Sequence, residues 1–106
     1  MNRLNQIILE GTVSGELIIP TDGHCKMIIP TTYTRTAKDT KEVFNIYVEC
    51  NYRLSSDITS RLTFGRVFRV VGYLATDIIN GVKKLVIISD HLELKPMKED
   101  GLTFWN

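Results

Sequence analysis

The sequence is poor in the residues that most chemistry needs. Among 106 residues there are two cysteines, two histidines, one tryptophan and three prolines, and the net charge is only +1. Each scarcity excludes something. Cys25 and Cys50 form no CxxC pair, so the common zinc and redox spacings are missing, and both read as reduced packing residues. His24 and His91 stand far apart in sequence. His24 adjoins Cys25, and neighbours on a strand point to opposite faces, which is no start for a metal site. There is no glycine-rich phosphate loop, no G-x-S-x-G and no pair of carboxylates on a shared face. The expectation is a protein that is not an enzyme and that holds no metal or cofactor. No apolar run approaches the ~20 residues that span a bilayer. MNRLNQIILEG lacks the small-residue cleavage site of a secretory signal. A cytoplasmic protein without a membrane segment is therefore expected.

What is present is the make-up of one folded domain, with 43% hydrophobic and 24% charged residues. The small net charge argues against coating nucleic acid by bulk charge alone, but its distribution is uneven. Residues 61–88 carry Arg61, Arg66, Arg69, Lys83 and Lys84 against Asp77 alone, and residues 89–106 carry four acids against two bases. A basic middle precedes an acidic end.

Strand signals dominate. Ile7–Leu9 precede Gly11, and KMIIP (26–30) leads toward Tyr33. In VFNIYVEC (43–50), Phe44, Ile46, Val48 and Cys50 alternate with Asn45, Tyr47 and Glu49, so Phe44, Ile46 and Val48 are expected in the core. VFRVVGYLA (67–75) and KKLVIISDHLELK (83–95) supply two more strands. DG (22–23) and NG (80–81) are turn signals. One stretch breaks the habit. In YRLSSDITSRLTFG (52–65), Leu54, Ile58, Leu62 and Phe64 fall at roughly helical spacing, with Ser55 or Ser56 as a cap and Gly65 as the stop.

Five strands with a helix between the third and fourth make an all-β fold, the OB-fold, a five-stranded Greek-key barrel. A β-sandwich or an SH3-like barrel competes, but neither calls for a helix there. Pro30 lacks a ladder donor, so its strand must run at an edge or through a bulge. The domain is expected over residues 1–96, with a short C-terminal tail over 97–106. Phe104 and Trp105 stand out in that tail, because large aromatics are rarely left in water.

With no active site to find, a binding surface remains. Proteins hold single-stranded nucleic acid with basic side chains along the backbone and aromatic rings under the bases, each ring worth roughly 1–3 kcal/mol. The residues of that type are Tyr33 and Arg35 with Lys38 and Lys41 behind them, Tyr47, Arg53, Arg69, Tyr73, and Lys83 with Lys84 beside the NG turn. Taken singly, each is also what a β-protein puts on a solvated face. It is the cluster that tips toward binding.

The opening LNQIILEGTVSGEL, followed by PTDG, resembles the start of bacterial single-stranded-DNA-binding proteins. VFNIYVECNYRL stands where that family has its third strand and the start of its helix. LTFGRVFRVVGYLAT resembles its fourth strand, and VIISDHLELKP its fifth. The similarity covers about residues 2–96. It implies an OB-fold, sequence-tolerant binding of single-stranded DNA in replication, repair or recombination, and self-association as a dimer or tetramer. It also implies a nucleoid-associated place in the cytoplasm and contacts with replication or repair proteins. The sequence departs from the family where large aromatics line the third strand. Val43 and Glu49 stand there instead, Tyr47 is the one ring left on that face, and Glu49 would repel phosphate. The segment ATDIINGVK between strands four and five reads as a short loop without Trp. The family's long linker and acidic tip are missing. Two other readings stay open: an OB module that docks on proteins after losing its DNA face, and an RNA-binding OB module.

Overall fold

The computed structural model describes residues 5–20 and 26–97. The element order is β1 (Ile7–Val13), β2 (Met27–Ala37), β3 (Thr40–Cys50), α1 (Ser56–Arg61), β4 (Val67–Ile79) and β5 (Val82–Leu94). The strands close into a barrel in the order β1-β2-β3-β5-β4. All neighbours are antiparallel except β3 and β5, which run parallel. The five-stranded OB barrel with one helix between β3 and β4 is the expected architecture.

Alternation along the strands sorts the side chains into two clusters. Inside the barrel, Val13, Ile29, Val48, Cys50, Phe68, Val70, Ile87 and Leu92 pack with Leu62 from the helix end. Burying a ring such as Phe68 contributes about 1.5–3 kcal/mol relative to leaving it in water. On the outer side, Ile28, Ile79, Val86 and Ile88 form a second cluster, flanked by Ile18, Tyr47, Tyr73 and Ala75. This explains the unbroken apolar run at 86–88. A strand covered on both faces has no reason to alternate. Ile46 lies half-buried against the inner core, whereas Phe44 lies outside it.

Three local features follow from particular residues. Pro30 pairs with Tyr47 on β3, and its carbonyl accepts from Ser14 N–H at 2.9 Å on the other side. Its missing donor therefore also faces away from β3, just past the end of the short β1–β2 ladder, so the β2–β3 ladder loses no bond; neither an edge nor a bulge is needed there. Gly72 sits at the irregularity in the β4–β5 ladder, where an added Cβ would collide with the backbone of Ile88. Cys50 is a buried free thiol, in line with a packing role.

The helix is shorter than its apolar spacing suggests. Ser55 Oγ accepts from Ile58 N–H at 3.2 Å, which fixes the start, and Arg61 pairs with Asp57 one turn back at 3.2 Å. The helix ends at Arg61 rather than near Gly65, because residues 62–66 turn back to β1. There Val13 N–H donates to Arg66 O, and Gly65 N–H donates to Val13 O. Leu62 is drawn into the core by this turn, while Phe64 is left 80% exposed.

The two long hairpins exceed expectation more. β2 and β3 pair from Met27 with Cys50 out to Ala37 with Thr40, closed by the two-residue turn Lys38-Asp39. β4 and β5 pair out to Ile79 with Val82, closed by Asn80-Gly81. Both turns have positive φ at both residues, the geometry that matches strand twist. The segment ATDIINGVK is thus mostly strand, not loop. The DG turn at 22–23, His24, Cys25 and the tail from 98 onward, with Phe104 and Trp105, lie outside the described residues.

Candidate nucleic-acid interface

The parallel pairing of β3 with β5 is short. It joins Tyr47, Val48 and Glu49 to Val86, Ile87 and Ile88. Before that point each strand follows its own hairpin partner, so the β2–β3 and β4–β5 arms separate at the mouth of the barrel. A groove of about 520 Å³ opens there, lined among others by Tyr33, Phe44, Asn45, Tyr47, Lys84 and Leu85.

Tyr33 and Phe44 stand directly opposite each other in the ladder and stack, with centroids 5.2 Å apart and planes at 23°. Cross-strand rings of this kind contribute about 0.5–1.5 kcal/mol beyond burial. Two residues further out on the same face, Arg35 pairs with Glu42 at 3.2 Å. Lys38 is part of the turn at the tip. On the other arm, Lys84 lies opposite Asp77 and Lys83 opposite Ile78, so the two lysines leave β5 on opposite faces.

Tyr47 and Tyr73 occupy the outer cluster. Tyr47 neighbours Val86, and Tyr73 neighbours Ile88, on either side of β5. Two strand spacings across and two residues along put them about 12 Å apart. Glu49, two residues beyond Tyr47 on β3 and across Ile88 from Tyr73, behaves differently from the acid expected on this face. It is 3% exposed, with its Oε1 3.7 Å from Lys26 Nζ. Lys26 in turn holds Asp77 on β4 at 2.8 Å. Burial, and then the hydrogen bond to Asp77, push the Glu49 carboxyl above the usual carboxylate range. The same hydrogen bond, followed by that from Lys26, lowers Asp77 to about 2. A carboxyl that is buried and faces Lys26 presents little charge to a ligand on this face, which weakens the sequence-based objection to it. Val43, by contrast, is 63% exposed, as expected of its position.

Tyr33, Tyr47 and Lys84 thus come together in the groove, with Arg35, Lys38 and Lys83 further out on its arms and Tyr73 across β5. Arg53 and Arg69 are placed elsewhere. Arg53 lies in the connection from β3 to α1. Arg69 sits between Glu10 of β1 and Glu93 of β5, pairing with Glu93 at 3.4 Å. The chief residue missed by sequence reasoning is Phe44. Its period-two position marked it as core, and it does point inward. The arm, however, runs past the barrel, so that inward face ends over the open mouth.

No family model matches the sequence, and no curated protein does. Solved structures do match. The small single-stranded DNA-binding protein of Streptomyces coelicolor is 16% identical, with a TM-score of 0.65 over 89% of this chain and 94% of that one. The Plasmodium falciparum SSB in complex with ssDNA is 20% identical, with a TM-score of 0.63 over 89% and 95%. The dimeric N-terminal domain of PriB from Thermoanaerobacter tencongensis is 17% identical, with a TM-score of 0.62 over 90% and 100%. At this level of identity the likeness is one of fold.

Proposed function

We propose that the protein binds single-stranded DNA, without strong sequence preference, in the groove where β3 and β5 part. The observation that carries this reading is the stacked Tyr33–Phe44 pair beside Tyr47 and Lys84 in one open groove. Bases stack on such rings whatever their identity, because every base has a π-face, and lysines follow the phosphates. Lys84 on the groove wall and Lys83 and Lys38 on its arms supply the cations. Arg35 sits near enough to exchange its Glu42 partner for a phosphate. Tyr47 and Tyr73 extend the path over the outer face, and Arg53 and Arg69 play no direct part in it. Among the structural neighbours, one is a small single-stranded DNA-binding protein and another is held in complex with ssDNA, which supports the same reading.

The binding is non-catalytic and serves DNA replication, repair or recombination in the cytoplasm, where replication or repair proteins are its partners. Self-association accompanies it. Only Thr12 and Val13 of β1 pair with β2, so the Ile7–Gly11 edge has no second strand partner among the described residues. An open edge of this kind is a template for pairing, and the PriB neighbour is a dimer. We assign that edge to a second copy of the chain.

The test is a titration of a fluorescent single-stranded oligonucleotide of roughly thirty nucleotides at two salt concentrations. Submicromolar binding that weakens as salt rises supports the reading. Absence of binding at low salt sinks it. An equal preference for RNA of the same length leaves the groove in place but widens its ligand class.

A further inference from the structure

Phe64 is the most exposed large hydrophobic side chain among the described residues, at 80%. The ring does not sit on a loose loop. Before it, Leu62 N–H donates to Thr59 O at 3.2 Å, and the Leu62 side chain is buried in the core. After it, Gly65 N–H donates to Val13 O at 2.8 Å, and Arg66 O accepts from Val13 N–H at 2.9 Å. The backbone is thus pinned on both sides, and a fixed turn holds Phe64 in water. Covering such a ring recovers hydrophobic free energy at little cost in order.

Beside the ring lies a cleft of about 350 Å³, with Leu62, Thr63 and Phe64 on one side and Gly15, Glu16 and Leu17 on the other. That is the small end of the ~300–1,000 Å³ range of ligand sites, room for a large side chain rather than for a folded partner. Leu17, Leu62 and Phe64 make it apolar, and its one charged group is the Glu16 carboxylate. Glu16 is exposed and has no ion pair among the described residues. An apolar cleft with an unused acceptor suits an indole, whose ring is apolar and whose N–H must donate. A carboxylate at the same place disfavours a phosphate.

The chain carries one indole. It is Trp105, in the segment KEDGLTFWN that follows the described residues. The end of β5 runs beside the same turn, where Lys95 N–H donates to Val67 O at 3.0 Å and Arg66 Nη2 donates to Lys95 O at 2.9 Å. Phe64 stands three residues before Val67, and Met97 stands two after Lys95. Extended chain over both stretches plus one strand spacing puts Phe64 at most about 23 Å from Met97. The segment from Met97 to Trp105 reaches about 26 Å. The span is met even in that limit.

We propose that Trp105 of this chain packs against Phe64 in the cleft between the 15–17 connection and the turn after α1. The DNA groove plays no part in this contact, which stands or falls apart from it.

Trp105 is the sole tryptophan, so its fluorescence in the full chain reports on this contact without DNA. The wild type should emit to the blue of free tryptophan and resist quenching by acrylamide. In Phe64→Ser the emission should shift to the red, and quenching should rise at least about twofold as the indole loses its apolar cover. Phe64→Tyr keeps the ring and should quench like the wild type. Because Phe64 is so exposed, both variants should keep the barrel, and circular dichroism checks that they do. A Trp105 as open to quencher as free tryptophan in the wild type overturns the proposal. So does a shielded Trp105 that Phe64→Ser leaves unchanged, since its cover then lies elsewhere. Dilution separates this chain's own segment from that of a second copy. A tethered segment sees an effective concentration near millimolar, so shielding should survive about a hundredfold dilution. Shielding that disappears on dilution gives the cleft to a second copy and overturns the proposal.

Discussion

The β2–β3 and β4–β5 arms leave the same barrel and end in the same kind of two-residue turn, but they treat their side chains differently. The first arm pairs its central rings and charges and leaves Val43 as its one large exposed hydrophobic residue. Tyr33 stacks on Phe44, and Arg35 pairs with Glu42 two residues further out. The second leaves Ile78, Val82 and Leu85 more than half exposed, and Lys83 and Lys84 have no ion pair among the described residues. A self-paired arm is a preformed platform that loses little freedom when a ligand arrives. An arm with unmatched apolar and cationic groups is a surface that gains from one. The groove lies between a rigid wall and a receptive one.

That contrast can be broken by substitution. Replacing Tyr33 and Phe44 together by Ala should weaken oligonucleotide binding at least about tenfold, because a stacked base loses roughly 1–3 kcal/mol. Unchanged affinity in anisotropy titrations would remove the first arm from the site. Replacing Lys83 and Lys84 by Ala should cost less, several-fold, and should reduce the dependence of log affinity on log salt by roughly one for each phosphate that a lysine neutralises. A salt slope equal to that of the wild type would show that the second arm does not meet the backbone.

Smaller effects test the turns. Gly81 has φ +80, which a side chain adopts only under strain. Gly81→Ala should lower stability by about 1 kcal/mol in urea unfolding. In the first arm Lys38 and Asp39 hold φ values of 50 and 64 without glycine. Lys38→Asn with Asp39→Gly should raise stability by a few tenths to about 1 kcal/mol. Equal responses at the two turns would mean that the arms are not distinguished by turn strain. Arg69→Ser should change affinity less than about twofold, since its partner Glu93 already neutralises it.

Stability against pH should show both members of the carboxyl pair. Asp77 is lowered in the fold, so its contribution is complete above the ordinary aspartate value of 3.8 and is lost as pH falls toward about 2. Glu49 is raised, so the folded state binds more protons than the unfolded one, and stability declines as pH rises above 4.5. Urea midpoints for Glu49→Gln should lack the second decline.

Much of the barrel was legible because it rests on local pattern. The order of elements, the Asn80-Gly81 turn and the Ser55 cap all come from residues whose chemistry acts on their own backbone. The Lys38-Asp39 turn was not, since Lys is no turn residue and only the pairing of Ala37 with Thr40 forces it into that geometry. The basic middle segment was a weaker clue than it looked. Arg61 pairs with Asp57, Arg66 donates to the Lys95 carbonyl, and Arg69 pairs with Glu93. The excess is mostly structural, and Lys83 and Lys84 are what remains of it. Glu49 and Phe44 were misjudged for one shared reason. Alternation gives the face of a residue, but what covers that face depends on segments distant in sequence. Ile18, Ile79 and Asp77 enclose Glu49's side of β3, and no described residue closes the mouth beside Phe44.

The central claim is that single-stranded DNA lies between the two arms. Hydrogen–deuterium exchange of the protein with and without a saturating thirty-nucleotide oligomer tests it most directly. Slowed exchange over 33–47 and 82–88, with β1 and α1 unchanged, is the predicted result. Slowed exchange at the helix end, around Arg53 and residues 56–66, with the arms unaffected, would contradict it.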